Sequence, residues 1–319
     1  MEGFARFGFQ ATPGRPVSGE EQGESWPQVV AGARSLADAL PDLLVEARQV
    51  AMTTNAGWHG RRRSGSGENF WQFRPFVAGE PVKRIDWRRS ARDDHLYVRE
   101  REWEAAHTVW LWADLSPSMA FRSHLSRTIK RDRALVLLLA LADLLAETGE
   151  RIGLPGLRKP VADRHAAERI AAALAHVTDP ASLPDPQDIR RFSDVVLIGD
   201  LLDPVEGTLA WMRKVAASGA RAHMVMVLDP VEETFPFAGR TEFRDPETGF
   251  RLTSGKAEEW KRAYVERLEA HRAAIGDAAR KAGWTFLVHH TDRPASEPML
   301  VLHSRLSGIP MQGTKGVDA

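Results

Sequence analysis

From residue 108 onward the chain alternates short apolar stretches with longer helix-like ones, and few folds accept that pattern. Strand-like runs at 109–113, 151–154, 195–199, 223–228 and 284–288 are apolar at successive positions. Strands of that kind are buried on both faces, which requires a mainly parallel sheet covered by helices. The run ALVLLLALA makes a helix at 127–147 apolar nearly all round, so it should pack deeply. The stretch 257–282 is charged and amphipathic and reads as a surface helix. The principal α/β domain therefore spans 108–306.

Upstream the pattern changes. Val29, Leu36, Leu40, Leu43, Leu44 and Val50 recur at roughly helical spacing within 26–56, and Pro41 is expected to kink or restart that helix. Residues 57–107 turn to short apolar stretches broken by Gly, Pro and arginine, with Trp58, Trp71, Trp87 and Trp103 among them. They read as a small, mostly β segment. Residues 1–25, rich in Gly, Pro and Glu, read as a disordered tail, and 307–319 as a loose one. No internal repeat occurs at solenoid periods.

Composition narrows the function classes. With 319 residues and 43% hydrophobic content the chain can bury a large core without staples. Cysteine is absent, which excludes disulfides, thiolate zinc sites, iron–sulfur clusters and cysteine nucleophiles. Lysine plus arginine number 43 and so do aspartate plus glutamate, so global charge makes no case for nucleic acid or an anionic membrane. The N-terminus has no apolar run of signal-peptide length. The longest apolar stretch, 134–146, is interrupted by Asp143 and falls short of the ~20 residues that a membrane span needs. A cytoplasmic protein without a membrane span is expected.

The strand TVWLWA runs directly into Asp114-Leu115-Ser116-Pro117-Ser118. Ligands of α/β sheets bind at the carboxyl ends of strands, so one carboxylate and two hydroxyls stand where such a fold favours a site. A hard divalent cation such as Mg2+ takes about six oxygens and keeps several waters, and this loop supplies part of that shell. Asp200, at the end of VVLIG, is the natural second carboxylate. Because both serines are neutral, the cation keeps electrophilicity for an acidic residue supplied by a protein partner. The competing reading is that Asp114 with Ser116 or Ser118 simply caps a following helix.

Other chemistries find less support. Between Arg61 and Arg101 there are eleven arginines and lysines against six acids, interleaved with Trp71, Phe73, Phe76 and Trp87. That composition admits an RNA-binding surface, but Asp86, Asp93, Asp94 and Glu100 are spaced to pair with the arginines, which favours a structural or docking role. A phosphoaspartate hydrolase of the haloacid dehalogenase type needs a second acid two residues after Asp114, where Ser116 stands. Gly255-Lys256 precedes Ala257, not the Ser or Thr of a phosphate loop, and no G-x-S-x-G elbow exists. His289 and His290 are adjacent on a strand and point to opposite faces, so they do not share a metal.

Four segments carry a family resemblance: GENFWQFRPFVAGEPVKRIDWRRSAR (67–92), VREREWEAA (98–106), the strand end ADLSPSM, and VLDPVEETFPFAGRTEFRDPETG (227–249). They resemble the bacterial DUF58 family, whose members contain a von Willebrand factor A-like domain. Glu80 stands where that family usually carries aspartate. The resemblance implies a Rossmann-like, doubly wound α/β sheet of von Willebrand factor A type. It also implies a metal-ion-dependent adhesion site, with Asp114, Ser116 and Ser118 as its DxSxS part, Asp200 as the later aspartate and Thr178 as the threonine. The implied partner is a MoxR-type AAA+ ATPase. The function expected is a non-catalytic, metal-dependent adaptor for assembly or remodelling of a protein complex. The alternatives are a metal-dependent hydrolase using Asp114 and Asp200, and an RNA-binding protein acting through 61–101.

Overall fold

The computed structural model describes residues 12–13, 26–59, 70–77, 81–92, 95–101, 107–177 and 180–306. They fall into two compact units, 58–106 and the rest of the chain. The larger unit opens with β1 (Thr12–Pro13) and all but the last two residues of α1 (Trp26–His59), and the smaller holds β2 (Phe70–Pro75), α2 (Trp87–Ser90) and β3 (Tyr97–Arg101). The larger unit resumes with β4 (Thr108–Ala113), α3 (Lys130–Glu147), β5 (Arg151–Leu154), β6 (Arg158–Ala162), α4 (Ala166–Leu174), β7 (Ser193–Gly199) and α5 (Val205–Ser218). It continues with β8 (Arg221–Leu228), α6 (Pro230–Thr234), β9 (Thr241–Arg244), β10 (Arg251–Ser254), α7 (Lys261–Lys281), β11 (Thr285–His290) and α8 (Ser296–Leu306).

Six strands form the central sheet in the order β11-β8-β7-β4-β5-β6. All neighbours run parallel except β6, which returns antiparallel to β5. This is the doubly wound, Rossmann-like α/β arrangement that the alternating pattern predicts. From β4 the chain moves outward to β5 and β6, then comes back to the other side of β4 as β7. The connections leaving β4 and β7 therefore diverge, and a crevice opens between their carboxyl ends.

The period-two alternation of the strands sorts their side chains into two layers. Val109, Leu111, Val196, Ile198, Val225 and Val227 face α1, α3, α4 and α8, while Trp110, Val195, Leu197, Met224 and Met226 face α5 and α7. The apolar run of α3 is buried almost throughout, as expected. α1 is a continuous helix through Pro41, and its Leu40, Leu43, Ala47 and Ala51 join the main core. The supposed separate N-terminal segment is thus part of the principal unit. The surface helix expected at 257–282 starts with a 3-10 turn, Ala257–Trp260, and α7 buries Leu268, Ile275 and Ala279. β6, β9 and β10 escape the apolar pattern because each carries polar residues on a partly exposed face. Thr12–Pro13, within the stretch expected to be disordered, pairs with Thr241–Glu242 of β9. The tail 307–319 lies outside the described residues. Among the described residues no helix is long and apolar enough to cross a membrane.

In the smaller unit β2 and β3 pair antiparallel. Asp93 and Asp94 lie outside the described residues. Asp86, expected to neutralise arginines, instead caps α2: its Oδ1 accepts the Arg89 backbone N–H at 2.9 Å. Ser90 Oγ donates to the Asp86 carbonyl and accepts the Tyr97 N–H, each at 2.9 Å. Asp86→Ala is therefore expected to lower the unfolding free energy by about 1 kcal/mol, the scale of a lost cap. A loss of about 3–5 kcal/mol in urea denaturation would mean that a buried ion pair had been broken instead.

Candidate functional site

β4 ends at Ala113, and the next residue, Asp114, is fully buried. Its backbone N–H continues the β4–β7 ladder by donating to Ile198 O at 2.8 Å. Oδ1 accepts the Ser116 N–H at 2.8 Å and closes a tight local turn. Oδ2 is buried without a hydrogen-bond partner. A 3-10 turn follows at Pro117–Ala120, where Ser116 occupies the N-cap position without a side-chain cap bond. Its hydroxyl lies 3.1 Å from that of Ser118 instead. Turn closure thus accounts for one Asp114 oxygen and for neither hydroxyl.

Asp200 follows β7 directly. The chain then turns at Leu201 with φ 51, a left-handed conformation that costs a leucine about 1 kcal/mol or more. That turn brings the Leu202 N–H onto Asp200 Oδ1 at 3.2 Å. Asp200 Oδ2 accepts Lys130 Nζ at 2.9 Å, and the same ammonium donates to Glu232 Oε1 at 2.7 Å. Lys130, at the start of α3, is wholly inaccessible to solvent. Glu232 belongs to the capping box of α6, where its Oε2 accepts the Asp229 N–H at 2.7 Å. From the hairpin β9–β10, Glu247 Oε1 accepts the Ser118 N–H at 2.8 Å.

Burial dominates the electrostatics. It pushes the Asp114 carboxyl up from its ordinary 3.8 to about 8, helped by the nearby charge of Asp200. Burial acts on Asp200 in the same direction, but the charge and hydrogen bond of Lys130 outweigh it and hold that carboxyl below its usual range. Burial likewise opposes the charge on Lys130, yet Asp200 and Glu232 keep it above the usual lysine value. Glu232 is raised, chiefly by burial. Asp114, Asp200 and Glu232 thus set three buried carboxyls around one ammonium. If all were ionised, two negative charges would stand in excess. A proton on Asp114 relieves part of that excess, and a divalent cation at Asp114 Oδ2 relieves all of it.

The donor set suits a hard cation. Its members are carboxylate and hydroxyl oxygens, with no nitrogen or sulfur ligand among them. Among the described residues, no three His, Asp or Glu side chains gather as a metal-holding group, so a cation here depends on the serine hydroxyls. Asp114, Ser116, Ser118 and Asp200 come together across the crevice: the two serine hydroxyls lie 3.1 Å apart, and the charge of Asp200 is close enough to raise the Asp114 carboxyl. Thr178 lies outside the described residues. His289 is buried, and burial followed by the charge of Arg133 lowers it to about 3, so it stays neutral. Its neighbour His290 pairs with Glu233 at 2.5 Å.

A family model described as "Protein of unknown function DUF58" matches residues 72–274. The chain belongs to the DUF58 family. Uncharacterized protein Rv1480 of Mycobacterium tuberculosis strain H37Rv is 28% identical over 285 residues, covering 81% of this chain and 86% of the relative. Uncharacterized protein Mb1516 of Mycobacterium bovis matches to the same extent. Of solved structures, the conserved hypothetical protein BatB from Bacteroides thetaiotaomicron shares 14% sequence identity at a TM-score of 0.40, over 64% of this chain and 100% of that one. An aerotolerance-related membrane protein from Bacteroides fragilis, carrying multiple mutations to serines, gives 14% and 0.41 over the same shares.

Sequence reasoning misses three residues that line the candidate site of this DUF58 protein. Lys130 is hidden at the head of an apolar helix, Glu232 in a helix cap and Glu247 in a hairpin turn. A lysine opening a helix that is otherwise buried is itself a signal, because a buried ammonium needs carboxylate partners. Gly199 also has a role. A Cβ there would lie 2.7 Å from Asp114 Cβ and 3.1 Å from Oδ2, so only glycine lets the carboxyl lie against β7. Gly199→Ala is expected to cost about 1–3 kcal/mol through overpacking, read as a lower urea midpoint. An unchanged midpoint would show that Asp114 can move aside.

Proposed function

We propose that this DUF58 protein is a non-catalytic binding module of von Willebrand factor A type. A divalent cation, Mg2+ or a chemical equivalent, is held by Asp114, Ser116 and Ser118 with Asp200 close by. An acidic residue of a protein partner completes its shell. The observation that carries this reading is Asp114 Oδ2, buried without a hydrogen-bond partner beside a second buried carboxyl, Asp200, and two serine hydroxyls that bond each other. When bound, the cation supplies a positive centre for an incoming carboxylate. The chain's own part is to hold that centre on a loop above a rigid sheet and to keep it partly neutralised. The hydrolase alternative requires Asp200 as a free base, and Lys130 engages it.

The family resemblance adds the partner class: an adaptor working with a MoxR-type AAA+ ATPase. The test uses the purified chain and a purified ATPase of that type from the same cell, with Mg2+ or with chelator. Wild type should bind in Mg2+ and lose binding in chelator. Asp114→Ala, and Ser116→Ala with Ser118→Ala, should lose binding while keeping their circular dichroism. Equal binding with and without divalent ions would overturn the metal-bridged reading.

A further inference from the structure

The turn of hairpin β9–β10 is built to present one carboxylate. Asp245, almost fully buried, accepts the Glu247 N–H on Oδ1 at 2.9 Å and the Thr248 hydroxyl on Oδ2 at 2.5 Å. Its backbone N–H donates to Phe250 O, and its carbonyl accepts the Gly249 N–H, both at 2.8 Å. Gly249 takes φ 72, which closes the turn at no steric cost. Below it, Phe243 of β9 is buried and stacks between Phe235 and Trp260. The hairpin is therefore anchored at its base and locked at its tip.

That tip aims Glu247 at the candidate site. Its Oε1 takes the Ser118 N–H at 2.8 Å across 129 residues of sequence, which sets the carboxylate beside Ser118. Asp200, by contrast, has both oxygens engaged, one by Lys130 and one by Leu202 N–H. An ammonium already bound at 2.9 Å competes with a metal for the same carboxylate. Asp114 Oδ2 remains the buried oxygen without a partner. Of the two acids beside Ser118, the one not held by a lysine is Glu247.

We propose that Glu247, and not Asp200, is the second carboxylate that binds the divalent cation directly, beside Asp114 and the hydroxyls of Ser116 and Ser118. Asp200, bonded to Lys130, then acts on the site through its charge beside Asp114. This assignment rests on the cation-binding reading above and deepens it. It makes hairpin β9–β10 a structural part of the metal centre, so the site is assembled from three separate stretches of chain.

Calorimetric titration of the full chain with Mn2+ alone tests it. Glu247→Gln is the informative variant, because glutamine keeps an oxygen that can accept the Ser118 N–H and removes only the charge. Wild type is expected to bind Mn2+, Asp114→Asn to lose binding, and Glu247→Gln to bind about tenfold more weakly or worse. The melting temperature of metal-free Glu247→Gln should match wild type. If Asp114→Asn loses Mn2+ while Glu247→Gln binds it like wild type, Glu247 is only a structural acceptor and the assignment fails, with the cation reading intact. If wild type itself does not bind Mn2+, both fail together.

Discussion

Lys130→Met should be among the most damaging single substitutions in this protein, lowering the unfolding free energy by about 3–5 kcal/mol. Methionine matches the lysine stem in bulk, so the loss comes from charge and not from packing. Lys130 is wholly buried, and its ammonium bonds Asp200 at 2.9 Å and Glu232 at 2.7 Å. Removing it leaves two buried carboxyls facing each other without a counter-charge. They must then take up protons, so the variant should lose further stability as the pH rises. Adding Asp200→Asn and Glu232→Gln to Lys130→Met should restore part of the loss, because neutral amides avoid the unpaired charge. Urea denaturation of the three proteins reads this directly. A single variant within about 1 kcal/mol of wild type would show that water reaches these carboxyls and that the cluster is not sealed.

The second large effect is a pH dependence with opposite signs for stability and for cation binding. Burial, with Asp200 nearby, raises Asp114 from 3.8 to about 8. Between those values the metal-free native state holds a proton that the unfolded chain releases, so it binds more protons than the unfolded state. Stability from this group is therefore undiminished below about pH 4, falls as pH rises, and levels off above about pH 8. Asp114→Asn should flatten that slope. A cation must displace the same proton, so Mn2+ affinity should rise about tenfold per pH unit up to about pH 8 and then level. Titrations at about pH 6 and about pH 8 should differ by about a hundredfold, with a proton released per ion bound. Affinity independent of pH over that range would mean that Asp114 is already ionised in the free protein and that its burial has been compensated in another way.

Much of this architecture is legible in the sequence because it is local. β4, β7 and β8 are buried on both faces, so each holds a run of at least four successive apolar residues, and the helices between them show their own period. Asp114 and Asp200 are legible for the same reason, each being the first polar residue after a buried strand. β6, β9 and β10 are not, because a half-exposed hairpin strand of four or five residues resembles a polar loop in composition. Asp86 misleads because the same carboxylate suits an arginine or a helix N-terminus, and only the backbone of Arg89 decides between them.

By itself, then, the sequence determined the alternating α/β plan, the deep burial of α3 and the placing of an oxygen-rich loop at a strand end. Only the tertiary structure decided which groups share that loop's surroundings. Lys130 lies 70 residues from Asp200 and 102 from Glu232, while Glu247 lies 129 from Ser118. Those pairings depend on the strand order, which sets β7 beside β4 and sends β5 to the far side. Periodicity and capping act over a few residues of chain, whereas the partner of a buried charge is chosen by the low dielectric of the folded interior, where every nearby carboxyl counts whatever its distance in sequence.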